Sequence, residues 1–238
     1  MSRAIVVVPT YNEAENLPLL IPKILERDAR LEVLVVDDDS PDGTGRIADD
    51  FAARDPRIHV LHRAAKSGLG AAYRAGLRHA LDLGADFVIQ MDADFSHPPE
   101  ALDLLLQEIE DHDVVLGSRY LNGITVVNWP IERILISYFG NWYARHVTGL
   151  PISDTTGGFR CIRADLLQRT GFERIRSTGY AFQIELNYRF VRLGARIKEV
   201  PFFFVDRTRG ESKLSLRIAV EALWIAWWLR IADAIGRL

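Results

Sequence analysis

Near-continuous apolar runs alternate with stretches of helical period through the first half of the chain. AIVVV (4–8) precedes a helical pattern from about Glu13 to Arg27, and EVLVVD (32–37) precedes one from about Gly43. IHVLH (58–62) is followed by GLGAAYRAGLRHALDLG (68–84), and DFVIQMD (86–92) by PPEALDLLLQEIE (98–110), with DVVLGS (113–118) after that. Strands that are apolar on both faces and separated by helices imply a mostly parallel sheet covered on both sides. The expected fold class is therefore α/β, in one domain. Ligands of such sheets gather at the carboxyl ends of the strands. Here those ends carry Tyr11 and Glu13, Asp37 to Asp39, Lys66, Asp92 and Asp94, and Arg119.

The second half is less regular. PIERILISYFGNWYARHVTGL (130–150) reads as an amphipathic helix, DTTGGFRCIR (154–163) as a glycine loop into a short strand or helix, and AFQIELNYRFVRLG (181–194) as a helix closed by Gly194. RIKEVPFFFVDR (196–207) reads as a strand broken by Pro201. The final segment, 214–238, is set apart from a main domain of 1–213 as a tryptophan-rich amphipathic helix. Its longest uncharged stretch, Ala222 to Leu229, is far below the roughly 20 residues a spanning helix needs. Trp224, Trp227 and Trp228 fit a helix lying in a membrane interface or on a partner, and equally one packed on its own domain.

Composition narrows the partners. At 48% hydrophobic and 26% charged the 238-residue chain is ordinary for a globular protein, and a net charge of −3 gives no positive field for nucleic acid. A phosphate-bearing ligand must be held by local groups. The single cysteine, Cys161, excludes an internal disulfide, fits a reducing compartment and reads as a core residue. The opening MSRAIVVVPTYNE reaches a proline after one short apolar run, which makes it a strand and not a secretory signal.

The chemistry concentrates in a few motifs. In MDADFSHPPE, Asp92 and Asp94 flank Ala93; alternation along a strand would point both carboxylates to one side, where a hard divalent ion, magnesium or manganese, relieves their repulsion. The plainer alternative is capping of the helix that Pro98 and Pro99 open. In PTYNEAENLP, Asn12 or Thr10 is a helix-cap candidate, while Tyr11 would stack on a base and Pro9 and Glu13 would shape the pocket. VVDDDSPDGTG supplies Asp38, with Asp37 second, to accept hydrogen bonds from a ribose or base. KSGLGAAYRAG lacks the third glycine of a dinucleotide fingerprint, so it leaves a softened helix start with Lys66 nearby. Arg119, Arg207, Arg209 and Lys213 are cations suited to a departing diphosphate, the last three in a glycine-containing loop. Arg133 and Ser137, four residues apart on one helix face, form either an acceptor-phosphate pocket or a solvated face.

Taken together, VVPTYNEAENL, VVDDDSPDGTG, KSGLGAAYRAGL, MDADFSHPPE, VLGSRY, DTTGGFR and DRTRGESKLS resemble, in order and over about residues 4–215, the dolichol-phosphate (polyprenol-monophosphate) mannose synthases. These are inverting glycosyltransferases of family 2 with the GT-A fold. The resemblance implies GDP-mannose as donor, a polyprenyl or dolichyl phosphate as acceptor, and Mg2+ or Mn2+ as cofactor. It implies that Pro9, Tyr11, Glu13 and Asp38 hold the nucleoside, that Asp92 and Asp94 address the metal, and that Arg119, Arg207 and Lys213 lie on phosphates or sugar. Some relatives carry glutamine two residues after the second aspartate as a metal ligand; this chain has Ser96 there. Many relatives also carry C-terminal transmembrane helices. Lipid would here be reached through the tail, the apolar face around Trp129 to Trp142, or a membrane partner subunit, placing the protein on the cytoplasmic face of a membrane. The rival readings are a UDP-sugar transferase of the same fold and an inert sugar-nucleotide-binding subunit of a membrane complex.

Overall fold

The computed structural model describes residues 2–175, 177–205 and 216–236, with side chains of the last helix described from residue 223. Four parallel strands, β1 (Ala4–Thr10), β2 (Leu31–Asp37), β3 (Ile58–His62) and β4 (Phe87–Gln90), alternate with helices α1 (Leu17–Leu25), α2 (Thr44–Ala52) and α3 (Leu69–Asp82). A single 3-10 turn at Pro99–Ala101 leads into α4 (Leu102–Glu108), and β5 (Val114–Ser118) follows. Beyond it lie β6 (Val126–Val127), α5 (Ile131–Thr148), β7 (Arg160–Arg163), α6 (Ala164–Arg169), α7 (Gly179–Arg192), β8 (Ile197–Pro201), β9 (Phe204–Val205) and α8 (Leu216–Ala234).

The main sheet runs β3-β2-β1-β4-β7-β5-β8, and β7 alone is antiparallel to its neighbours. This topology builds the site. The chain winds outward from β1 to β3 and then returns to add β4 on the other side of β1, which makes the β1–β4 boundary a topological switch point. Because β7 is reversed, its amino end and the carboxyl ends of β4, β5 and β8 share one edge of the sheet. Two apolar layers cover the faces: Val7, Val36, Tyr73, Leu77 and Phe182 belong to one, and Val6, Val35, Ile24, Leu105 and Phe159 to the other. Gly76 lets α3 lie directly on the sheet, since a methyl group there would strike Val7 and Val36.

Several local expectations are corrected. Neither Thr10 nor Asn12 caps α1. The Thr10 hydroxyl points back to Val36 O and Asp37, Asn12 turns with φ 61, and the helix starts only at Leu17, with Asn16 at its cap position and bonded to Glu13. The glycine loop at 157–158 enters a strand inserted in the main sheet between β4 and β5. Helix α8 is two-sided: Ala226, Leu229 and Ala232 are buried, while Trp224, Trp227 and Trp228 are exposed. It packs against α5 and α7, Tyr143 donating to Leu223 O and Tyr188 to Asp233. Among the described residues no helix is long and apolar enough to cross a membrane.

Candidate active site

At the edge where β1, β2 and β4 end, the acidic side chains do different work. Asp37 is buried and consumed locally: it accepts from Thr10, from the Ser40 amide and from the Ser40 hydroxyl (2.5 Å). Its turn is so tight that a side chain at Gly45 would collide with the carboxylate. Asp42 ties the same loop to the segment between β1 and α1, accepting from Thr44 and from the Ala14 amide, and these bonds outweigh burial to keep it below the ordinary carboxylate range. Asp38 pairs with Arg63. Thus Asp37 closes its own turn, whereas Asp38 is paired with a cation from the next strand end. Lys66 sits over the Tyr11 ring, 3.8 Å from its centroid, so the two residues expected to meet a nucleotide first meet each other. Pro9 lies within β1, and Glu13 is fixed by its amide donating to Thr44 Oγ1.

The carboxylates of Asp92 and Asp94 are not on a strand. Strand β4 stops at Gln90, and the DAD segment bends away, with Ala93 buried and Phe95 at φ 63. Strand alternation therefore does not orient them; hydrogen bonds do. Tyr73, buried in α3, donates to Asp92 Oδ1 at 2.9 Å, and the Asp92 amide donates to His97 Nδ1 at 3.0 Å. Burial lowers the affinity of His97 for a second proton, and its ring stacks on Phe159, 4.9 Å between centroids. Asp94 Oδ1 accepts from the Ser96 amide and hydroxyl, so it closes its own turn and caps no helix.

Ser96 is buried with its hydroxyl proton committed to Asp94. Among the described residues no cluster of three His, Cys, Asp or Glu side chains could hold an ion, and no hydrogen bond takes Asp92 Oδ2. Two neighbouring carboxylates are hard oxygen donors of the kind that fit a divalent ion of the magnesium or manganese type, which takes its remaining ligands from water and phosphate.

A second constellation forms where β5, β7 and β8 meet. Arg119, 4% exposed, donates to Asp154 through Nε (2.6 Å) and Nη2 (2.7 Å), and its amide adds a third bond to the same carboxylate. Burial alone would raise Asp154, yet the Arg119 charge and donors hold it below the ordinary carboxylate range, while Arg119 is driven further above its own. The guanidinium also lies near the rings of Tyr120 (5.3 Å), Phe204 (5.6 Å) and Trp129 (5.9 Å). Nε and Nη2 are spent on Asp154 and Thr156; no hydrogen bond among the described residues takes Nη1. On α5, Arg133 lies 4.0 Å over Trp129, and Ser137 accepts a 2.7 Å bond from Tyr120. Both are half-buried against the Arg119 surroundings and not on a solvated face.

Arg207, Arg209 and Lys213 lie outside the described residues. The sequence reading missed Tyr73, His97, Asn141 and Asp154; Tyr73, His97 and Asp154 stand inside KSGLGAAYRAGL, MDADFSHPPE and DTTGGFR, whereas Asn141 stands in no motif.

An acidic pair just beyond the switch point of an α/β sheet, with the buried Arg119 and Arg160 on the neighbouring strands, is the arrangement of a nucleotide-sugar transferase of the GT-A type. The comparisons agree. The model of glycosyl transferase family 2 matches residues 5–171, and the chain belongs to that family. It is 49% identical over 93% of its length to the undecaprenyl-phosphate mannosyltransferase of Micrococcus luteus, covering 91% of that protein. It is 44% identical over 95% of its length to the polyprenol monophosphomannose synthase of Mycolicibacterium smegmatis, covering 86% of it. Among solved structures, glucosyl-3-phosphoglycerate synthase from Mycobacterium tuberculosis, with Mn2+, UDP and glucosyl-3-phosphoglycerate, superposes with a TM-score of 0.67 at 20% identity, over 99% of this chain and 80% of that one. A Pyrobaculum calidifontis mannosyltransferase with GDP-mannose and Mn2+ gives 0.57 at 20% identity, over 99% and 76%. At such identity the structures speak for the fold alone. The chain is an enzyme, a glycosyltransferase.

Proposed function

We propose that the protein transfers mannose from GDP-mannose to a polyprenyl or dolichyl monophosphate, with inversion at the anomeric carbon. The observation that carries this reading is the buried Arg119–Asp154 pair, which fixes a guanidinium whose Nη1 is unspent among the described residues beside the half-buried Arg133 and Ser137. Such a cluster suits an anionic acceptor. Asp154, saturated with donors, has no capacity to act as a base. None is needed: a lipid monophosphate has a second pKa of about 6 and is ionised at neutral pH. Its oxygen forms the new bond to the anomeric carbon as the bond to the diphosphate breaks, and GDP leaves with both electrons.

Asp92 and Asp94 would hold Mg2+ or Mn2+, which supplies charge neutralisation of the diphosphate. Pro9, Tyr11, Glu13 and Asp38 shape the nucleoside pocket, and Lys66 leaves the Tyr11 ring for a phosphate or stays to stiffen it. Arg119 draws the acceptor phosphate toward the sugar, and Arg207 and Lys213 complete the cationic side.

The lipid would approach the exposed apolar side chains of α5 and α8, among them Ile131, Leu135, Phe139, Trp142, Trp224 and Trp227. Aromatic and aliphatic groups of this kind settle in a membrane interface. This supports a peripheral position at a membrane; in this proposal the face is the cytoplasmic one, residues 1–213 are the transferase domain, 214–238 are its interfacial helix, and a membrane partner subunit could share the contact. The donor assignment is supported by the mannosyltransferase relatives. It is tested by competition: GDP is expected to inhibit transfer far more strongly than UDP, and the reverse order would replace GDP-mannose by a UDP-sugar.

A further inference from the structure

Helix α5 meets the transfer site through the Tyr120–Ser137 bond and, further along, through the buried amide of Asn141. Asn141 is 3% exposed on a helix whose outer side chains are largely apolar and in solvent. Its Oδ1 accepts two bonds from Thr155, from the amide (2.8 Å) and the hydroxyl (2.7 Å), and its Nδ2 donates to Asp154 Oδ1 (3.2 Å). Asparagine is a poor helix former, and packing alone would be served by alanine or leucine. The three bonds are what the residue contributes. All of them go to the two residues that carry Arg119's carboxylate partner.

The loop itself is held from the other side. Glu199 on β8 takes the amides of Ser153 and Asp154, Asn187 on α7 donates to Thr155 O (3.0 Å), and the fully buried Arg160 donates to Asn187 Oδ1 (2.8 Å) and to Gly157 O. The loop is thus anchored to the sheet and to α7, and Asn141 is its bond to α5. That helix also carries Arg133 and Ser137. Apart from Arg160 Nε, which finds no partner among the described residues, the polar groups named here are bonded to one another, and residues behind a functional side chain orient it as ligand partners orient a metal-bound histidine.

We propose that Asn141 is a positioning residue for the acceptor half of the reaction: it registers α5, with Arg133 and Ser137, against Asp154, so that the unspent edge of Arg119 and the helix groups converge on one phosphate. It touches neither the D-x-D turn nor the nucleotide edge, so it acts on acceptor transfer and leaves donor binding alone. The inference rests on the reading of Arg119, Arg133 and Ser137 as the acceptor-phosphate site.

The test uses the full-length protein with GDP-mannose, Mn2+ and a short-chain polyprenyl phosphate, and compares wild type with Asn141→Ala. Two rates are read, transfer to the lipid phosphate and the slow hydrolysis of GDP-mannose without acceptor, together with KM for each substrate. The expected result is a loss of about tenfold or more in kcat/KM for the acceptor, the scale seen when outer partners of a site are removed. Donor KM and donor hydrolysis stay within about twofold of wild type, because uniform binding of the donor is untouched. An unchanged acceptor kcat/KM, or hydrolysis falling in step with transfer, overturns the proposal. Should Asn141→Ala fail to fold, Thr155→Val decides: it removes only the hydroxyl bond and is expected to show the same split at smaller size, with no split overturning the proposal. If wild type itself makes no lipid product, the acceptor reading fails. If wild type is active and the variants show no split, the role of Asn141 alone fails.

Discussion

The parallel half of the sheet and the half built around the reversed strand β7 solve the same problem in different ways. At the ends of β1, β2 and β4 three acidic residues close turns with neighbours near in sequence, Asp37 with Ser40, Asp42 with Thr44 and Asp94 with Ser96, while Asp38 and Asp92 take the more distant Arg63 and Tyr73. Around β7 the partners are far apart: Arg119 meets Asp154, Tyr120 meets Ser137, and Glu199 meets Ser153. Local turns make a shallow, open edge suited to a hydrated ion and a nucleotide. Long-range pairs make a dry, fixed cation, which in a low-dielectric setting acts more strongly on an incoming anion.

Removing one carboxylate from each half breaks the comparison most sharply. Asp94→Ala is expected to lower metal-dependent transfer by more than about 100-fold, since even outer partners of metal sites cost 10–100-fold, with the melting temperature nearly unchanged. The turn it closes is at the surface of the site, so a collapse in melting temperature would contradict that separation. Asp154→Ala should do the opposite in kind: it strands a buried guanidinium and costs about 3–5 kcal/mol of stability in a urea titration. Stability within about 1 kcal/mol of wild type would show that Arg119 does not depend on its partner.

The buried pair also leaves a mark on the acid dependence of stability. Asp154 has its folded pKa depressed, so the stability it contributes is fully present above the unfolded carboxylate value of about 4 and is lost as pH falls through the lower folded value. Wild-type stability attributable to this pair is therefore flat from about pH 5 upward, and Asp154→Asn should erase the difference only in strong acid. Paired urea titrations against pH read this directly. A wild-type advantage that declines already near neutrality would contradict it.

A smaller effect is expected at the lipid-facing surface. Replacing Trp224, Trp227 and Trp228 together by alanine should weaken sedimentation with anionic vesicles several-fold and leave turnover of a water-soluble acceptor within about twofold, because the indoles are exposed while Ala226, Leu229 and Ala232 carry the buried side of the helix. Loss of soluble-acceptor turnover would place the helix in the site itself. The smallest effect concerns Cys161, buried in β7 with its thiol pushed well above the usual range by burial. It should resist alkylation in the folded protein and react on unfolding.

The same contrast decides what was legible in the sequence. The alternation of apolar strands and helices through the first half gave the α/β class and located the strand ends, because each βαβ unit is coded in one continuous stretch. Asp92 and Asp94 were found, but their orientation was not: the strand ends two residues early, and it is Tyr73 and Ser96 that aim them. Asp37 and Asp38 looked alike in a run of three aspartates, and only the Ser40 turn and Arg63 distinguish them. In the second half DTTGGFR was seen as a motif without a role, since nothing local announces that β7 runs backwards and carries Asp154 to Arg119. Asn141 was invisible for the same reason; a polar residue on an amphipathic helix has no signature until its partners 13 and 14 residues away are known.

The central claim is that a fixed cation pair receives a lipid phosphate that attacks a nucleotide-bound mannose. Incubating the protein with GDP-mannose, Mn2+ and a short polyprenyl phosphate, followed by mass analysis of the lipid, tests it most directly. The account predicts a polyprenyl phosphate heavier by one mannosyl residue, formed together with GDP. Unmodified lipid beside hydrolysed GDP-mannose would contradict it.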